Sequence, residues 1–329
     1  MFDKIIPPIH DAQNILIIQA ENPDGDSLAS ALALDELLEN IGKKVTLFCA
    51  IDIPKYLRYI TGWDRVVSDW PNHADAIIIV DTSSKALLEK TLQIPSAQSL
   101  LERTPVIVLD HHADVTSDLP FEHLSVNDEA AVSTGEVIYD LAVQQHWTVT
   151  QQAAEHMFIS LQADTLGLTT PSTTAKSYQV AADLVALGAV PADIELRRRE
   201  YMKKPADILA YKAELIQRIE YHLDGKLATV HIPWADIQAY SDRYNPSVLV
   251  LDEMRLVEGV EIAIAIKTYP DGKLTGKIRS NLPIAHTVAG YFGGGGHEHS
   301  AGFKIYESID ELLPELISGV DKAVKAETI

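Results

Sequence analysis

The sequence predicts an α/β protein of two domains: a parallel, doubly wound sheet first, then a smaller α/β domain. Two observations carry the first part. Short apolar runs at 14–20, 44–50, 76–80 and 106–109 alternate with helical stretches, the pattern of βαβ units. Three strand ends also carry carboxylates: Asp24 with Asp26, then Asp81, then Asp110. The second part rests on a change of pattern. Beyond residue 225 strand-like runs are joined by Asp271-Gly272, a hairpin signal that parallel crossovers do not use. A chain of 329 residues is long enough for two cores.

Asn14 to Ala20 reads as the first strand. Pro23 and Gly25 then make a tight turn, and Asp26 or Ser27 caps a helix with Leu28, Ala31, Leu32 and Leu38 on one face. The run Val106-Ile107-Val108-Leu109 is a buried strand that delivers Asp110, His111, His112, Ala113 and Asp114 to its carboxyl end. In open α/β sheets that end is where ligands bind. Parallel strands bring their carboxyl ends to one edge, so distance along the chain does not keep the aspartates apart. Gathered anions repel unless a cation sits between them. A helix from about 151 carries Asp164 in a mostly apolar stretch, where an unpaired carboxylate is costly to bury.

Residues 205–222 read as helix, 226–232 and 260–269 as strands, and 247–257 as helix. The strand after the hairpin holds Lys277, Arg279 and Ser280. Gly293, Gly294, Gly295 and Gly296 then precede His297, with Tyr291, Phe292 and Phe303 on either side. Aromatic flanks mark a packed loop rather than a linker, and exposed glycine N–H groups suit an anion. A last amphipathic helix covers about 308–326.

The formal net charge of −20 and the lack of a basic stripe exclude a partner such as long duplex nucleic acid and favour a small or short substrate. Local acidity is no bar to a phosphate ligand if metal ions mask it. No apolar run reaches the length of a membrane span, and the N-terminus lacks the basic start and apolar core of a secretion signal. One cysteine, Cys49, rules out an internal disulfide and reads as a core residue. Cytoplasm is the expected compartment, for a monomer or homodimer that touches no membrane.

Taken together, Asn22-Pro23-Asp24-Gly25-Asp26-Ser27, Asp81, Asp110-His111-His112, Ser133-Thr134-Gly135-Glu136, Asp164, and Gly293 to His297 with Ala301-Gly302-Phe303 resemble, in order, the motifs of the DHH/DHHA1 phosphoesterases. The likeness covers nearly the whole chain and is greatest to the nano-RNase and phosphoadenosine-phosphatase branch. It implies a DHH catalytic domain over 1–195, a helical linker over 196–224, and a DHHA1 substrate domain over 225–329, with the active site in the cleft between them. It implies two Mn2+ ions, with Mg2+ as a substitute. Asp24, Asp26, Asp81, His111 and Asp164 are the implied ligands, and Asp81, Asp110, His111 and His112 the implied catalytic set. His112, Arg279, Ser280, Gly294, Gly295, Gly296 and His297 are implied to hold substrate.

One position departs from the pattern. The family carries a metal-binding histidine two residues before Asn22, and here that residue is Ala20. The implied second site, of Asp26, Asp81, His111 and Asp164, is complete. The first keeps only Asp24 and Asp81, with Glu21 or water as candidates to fill the gap. The expected chemistry is two-metal hydrolysis, with ions about 3.5–4 Å apart acidifying water and neutralising phosphate charge. Very short oligonucleotides, linear dinucleotides and 3′,5′-bisphosphonucleosides are the expected substrates, and nucleoside monophosphates the products. The alternatives are a nucleotide-binding or regulatory protein with catalysis weakened by Ala20, and an inorganic pyrophosphatase or polyphosphatase.

Overall fold

A computed structural model describes the chain except residues 113–116, 242 and 328–329 and the side chain of His297. Expectations for Ala113, Asp114 and the His297 imidazole therefore fall outside the described residues. The chain divides into two compact units, Met1–Lys203 and Lys204–Ile329.

The first unit runs α1 (Ile6–Asp11), β1 (Asn14–Ile18), α2 (Gly25–Asn40), β2 (Lys44–Phe48), β3 (Ala76–Val80), α3 (Glu89–Leu92), α4 (Pro95–Arg103), β4 (Val106–Asp110), β5 (Leu124–Asn127), α5 (Thr134–Gln144), α6 (Gln151–Asp164), α7 (Ala175–Ala186) and α8 (Pro191–Tyr201). Its five strands are all parallel, in the order β2-β1-β3-β4-β5. Strand β5 is an element the sequence reading did not separate, because Leu124-Ser125-Val126-Asn127 is too short and too mixed to stand out.

Both faces of the sheet are buried, which explains the unbroken apolar strands. Ile15, Ile17, Ile78, Val80, Ile107 and Leu109 join one core with residues of α2, α5 and α6. Leu16, Ile18, Ile77, Ile79, Val106 and Val108 join the other, with Leu92 of α3 and Leu100 and Leu101 of α4. The chain leaves β1 toward β2 but leaves β3 toward β4. The crevice between β1 and β3 is thus the switch point where α/β sheets take ligands. Asp24 and Asp26 follow β1, and Asp81 follows β3.

Close approach of α2 and α6 requires Gly25, since a Cβ there would stand 2.6 Å from the Ala163 Cβ. Helix α6 ends at Asp164, so this carboxylate lies at a helix end rather than inside an apolar stretch.

The second unit contains α9 (Ala206–Gln217), β6 (Glu220–His222), β7 (Leu227–Ile232), α10 (Trp234–Tyr240), α11 (Leu251–Arg255), β8 (Ile262–Thr268), β9 (Lys273–Ser280), α12 (Ala285–Gly290), β10 (Gly295–His297), β11 (Ser300–Tyr306) and α13 (Ile309–Glu327). Its six strands take the order β10-β11-β9-β8-β7-β6. Only β7 and β8 are parallel. The Asp271-Gly272 signal joins β8 to β9 as expected, with Gly272 at φ +77°. Helix α9 packs on this sheet through Ile208, Tyr211 and Leu215. The stretch read as helix over 205–222 stops at Gln217, and its end is strand β6.

The glycine run differs from the expected loop. Gly295 to His297 form an edge strand paired to β11. A Cβ at Gly294 would stand 2.2 Å from the Gly302 carbonyl oxygen, and one at Gly296 2.6 Å from the Ala301 Cα. Those glycines thus serve close backbone packing. An edge strand still leaves N–H groups without a ladder partner.

Candidate metal centre

The turn after β1 is a capping box. Asp24 is the N-cap of α2, its Oδ1 accepting from the N–H groups of Asp26 and Ser27 at 3.0 Å each. Ser27 Oγ accepts in return from the Asp24 N–H at 3.0 Å. The cap is therefore Asp24, not Asp26 or Ser27, and capping commits one of its carboxylate oxygens.

That leaves Asp26 free to point inward, where it is fully buried. Its Oδ1 accepts from Ser30 Oγ at 2.8 Å and Ser160 Oγ at 2.6 Å, and its Oδ2 from the Thr134 N–H at 2.8 Å. Asp81 turns the chain out of β3 at φ +62°, a left-handed conformation uncommon for a residue with a Cβ. Its own N–H donates to the Leu109 carbonyl, and its Oδ1 accepts from Thr134 Oγ1 at 3.0 Å.

At the end of β4, Asp110 acts as a local organiser. Its Oδ1 accepts from the N–H groups of His111 and His112 and lies 2.7 Å from His112 Nδ1. Burial works against its charge. The contact with His112 and the backbone donors win and hold the carboxyl below the ordinary range. Asp110 thus positions the two imidazoles. The His112 side chain is 42% exposed, and the bond to Asp110 raises its pKa.

His111 is the convergence point. Its Nε2 lies 3.1 Å from Asp164 Oδ2, 3.4 Å from Asp26 Oδ2 and 3.6 Å from Asp81 Oδ1. This buried nitrogen has no well-aligned hydrogen bond to any of them. Burial disfavours its protonation, but Asp164, Asp26 and Asp110 outweigh that and raise it to about 9. The carboxylates show the reverse strain. Burial, then Asp26, Asp24, Asp164 and Asp110, push Asp81 well above the usual range. Burial and Asp26 raise Asp164 to about 6. Asp24 is also raised, mainly by burial.

Such a set suits a divalent cation: crowded anions whose charges oppose one another around an imidazole nitrogen with a lone pair to give. Ligand atoms of Asp26, His111 and Asp164 all lie within 4.8 Å of one another, as do those of Asp81, His111 and His112. Among the described residues Asp24 joins neither group. Around Asp24 the donors run short. Ala20 is buried and offers no side-chain ligand. Glu21, the candidate substitute, is engaged elsewhere: its carboxylate accepts from the N–H groups of Lys90 and Thr91 and from Thr91 Oγ1 at 2.6–2.9 Å. The first position therefore fits a metal poorly and the second fits well.

In the second unit Arg279 is half-buried, and its Nη1 reaches Ser300 Oγ and the Ile278 carbonyl. Ser280 is fully buried, its hydroxyl donating to the carbonyls of Leu282 and Glu298, so it supports β9 from inside. Burial, then Arg279, lowers Lys277, and burial, then Lys277, lowers Lys267. Lys277 lies beside Arg279 on β9, and Lys267 lies diagonally across from Lys277 on β8.

Residues 14–166 match the model of the DHH family's N-terminal domain, and residues 240–326 match that of the DHHA1 domain. The chain belongs to the DHH family of phosphoesterases. A relative in this family is the probable bifunctional oligoribonuclease and PAP phosphatase NrnA of Streptococcus mutans, 24% identical over 93% of this chain and 94% of the relative. A probable manganese-dependent inorganic pyrophosphatase of Clostridium acetobutylicum is 23% identical over 71% of this chain and 74% of its own. An exopolyphosphatase-related protein from Bacteroides fragilis shares the fold, with a TM-score of 0.84 and 17% identity over 99% of this chain and 95% of its own. Among the described residues no helix is long and apolar enough to cross a membrane.

The sequence reading named no role for Ser30, Thr134 or Ser160, although each bonds a carboxylate of this DHH centre. Thr134 stood within the quoted motif Ser133-Thr134-Gly135-Glu136, while Ser30 and Ser160 carried no signal beyond a small hydroxyl within a helical stretch. Gly135 lets α5 meet α6: its N–H donates to Ser160 Oγ at 2.9 Å, and a Cβ would stand 2.1 Å from that oxygen.

Proposed function

We propose that this DHH-family chain hydrolyses phosphate esters of very short oligonucleotides, linear dinucleotides and 3′,5′-bisphosphonucleosides, releasing nucleoside monophosphates. The observation that carries the chemistry is the buried His111 Nε2, 3.1–3.6 Å from oxygens of Asp26, Asp81 and Asp164. The names of the NrnA relatives support the substrate class. Manganese is the favoured ion, as the names of the pyrophosphatase relatives suggest, with magnesium as a substitute.

Asp26, Asp81, His111 and Asp164 would hold the metal. A divalent cation there supplies a more acidic water near neutral pH and neutralises charge on the phosphate. Asp110 fixes the His112 ring through Nδ1, leaving Nε2 for the substrate. The raised pKa of His112 favours the protonated ring, which can donate to a phosphate oxygen. In the second unit Arg279, with Lys277 beside it, and the edge strand Gly295–His297 would take the remaining phosphate or nucleotide of the substrate.

A second reading has a specific observation behind it. Ala20 supplies no ligand and Glu21 is bound elsewhere, so one ion would be held firmly and a partner ion weakly. Catalysis would then be slow, and the protein could act chiefly as a nucleotide binder. The deciding experiment supplies manganese and follows a diribonucleotide, a 3′,5′-bisphosphonucleoside and pyrophosphate in parallel by chromatography. Mononucleotide from the first two supports the proposal. No product from either, even with an Ala20→His variant, refutes it, as does turnover of pyrophosphate alone.

A further inference from the structure

Thr134 touches two carboxylates that arrive from distant parts of the chain. It is fully buried and is the first residue of α5, directly after the N-cap Ser133. Its N–H donates to Asp26 Oδ2 at 2.8 Å and its Oγ1 to Asp81 Oδ1 at 3.0 Å. These are the same two oxygens that lie 3.4 and 3.6 Å from His111 Nε2. One residue therefore spans the switch point between the β1 and β3 ends and grips the atoms that face the imidazole.

We propose that Thr134 is the positioning residue of the metal centre, setting the separation and aim of Asp26 and Asp81 toward the cation. This rests on the reading of the cluster as a metal site. Each bonded oxygen keeps a lone pair for the ion, while the hydrogen bond limits where that lone pair points. Outer partners of this kind orient carboxylate ligands and tune metal affinity. The helix N-terminus adds a favourable field for both anions.

What locates Thr134 is also visible. The next residue, Gly135, donates its N–H to Ser160 Oγ, and Ser160 Oγ donates to Asp26 Oδ1. Helices α5 and α6 thus hold the start of α5 against the Asp26 carboxylate from two sides. Among the described residues Asp81 has no comparable set of donors. Thr134 Oγ1 is the hydroxyl that reaches its Oδ1, and the left-handed turn at Asp81 leaves its direction in need of one.

The test is manganese binding by the full chain without substrate, read by the electron paramagnetic resonance signal of free Mn2+. Thr134→Val removes the hydroxyl at nearly constant volume, and Thr134→Ser keeps it. The expected result is a dissociation constant raised about 10–100-fold in Thr134→Val, with Thr134→Ser close to wild type. A melt in EDTA runs alongside, because a hydroxyl with a merely structural role would lower the midpoint without moving manganese affinity. Should Thr134→Val fail to fold, Thr134→Ala removes the same hydroxyl and gives the same reading. Wild-type affinity in Thr134→Val or Thr134→Ala overturns the inference, and so does a Thr134→Ser variant as weak as Thr134→Val. Wild-type protein that binds no manganese overturns the metal centre itself, a different failure.

Discussion

Restoring an imidazole at position 20 should turn a one-ion protein into a two-ion protein. Ala20 is 4% exposed, and its neighbour Glu21 is held by Lys90 and Thr91, so neither completes a site around Asp24 and Asp81. The wild-type chain should therefore titrate with one tight manganese. At a free concentration 100 times its dissociation constant, that ion stabilises the fold by about 2.7 kcal/mol. The site lies in the unit Met1–Lys203. For a domain of that size 1 kcal/mol moves the melting midpoint by roughly 2–4 °C. Manganese should thus raise the midpoint by roughly 5–10 °C. In Ala20→His the second ion should add an increment of similar size and lift turnover. In EDTA the same variant should melt lower than wild type, since extra bulk in a packed position costs about 1–3 kcal/mol. Calorimetric titration gives the stoichiometry, and melts with and without manganese give the increments. Two tight ions in the wild type, or one in Ala20→His, would refute the reasoning.

Gly135→Ala should destabilise the first unit by about 1–3 kcal/mol, because its Cβ would fall 2.1 Å from Ser160 Oγ and 3.2 Å from the Met157 carbonyl. Chemical denaturation measures the loss, and an unchanged midpoint would show that α5 and α6 have slack at this point. Asp164 and His111 should make the metal-free protein less stable as pH rises from 5 to 8, against the buried His156, which is lowered to about 4 and works the other way up to about 6.5. Asp164, raised to about 6, contributes stability that is full below its ordinary value and lost as pH climbs through 6. His111, raised to about 9, contributes stability that is full below its ordinary value and lost toward 9. Both slopes have the same sign. Saturating manganese should flatten the dependence, and a metal-free melt that rises with pH would contradict it.

Much of this protein was legible along the chain. Apolar strands of four or five residues ending in Asp, and Asp-Gly between two strand-like runs, are local signals. They come from period, turn chemistry and the burial of both faces of a parallel sheet. From them follow the sheet edge that gathers Asp24, Asp26, Asp81 and Asp110, and the hairpin of the second unit. Ala20 stood out only through the resemblance, as the position where the family's motif carries a histidine.

The tertiary structure alone decided which atoms of those residues are free. Asp24 is a cap, Glu21 serves α3, Asp110 serves the imidazoles, and Ser280 faces inward, and none of this is written in residue type. Glycines 294 and 296 read as part of a packed anion-binding loop rather than the start of an edge strand, because a glycine run reads the same whether its N–H groups are exposed or it is pressed against another strand. Thr134 stood in a quoted motif but had no role there, because a threonine is ordinary until the fold lays it between residues 26 and 81. Sequence carries the local preferences that build strands and helices. Thr134 and Ser160 meet Asp26 and Asp81 through contacts between segments more than fifty residues apart, and these exist only once the sheet and its helices have packed.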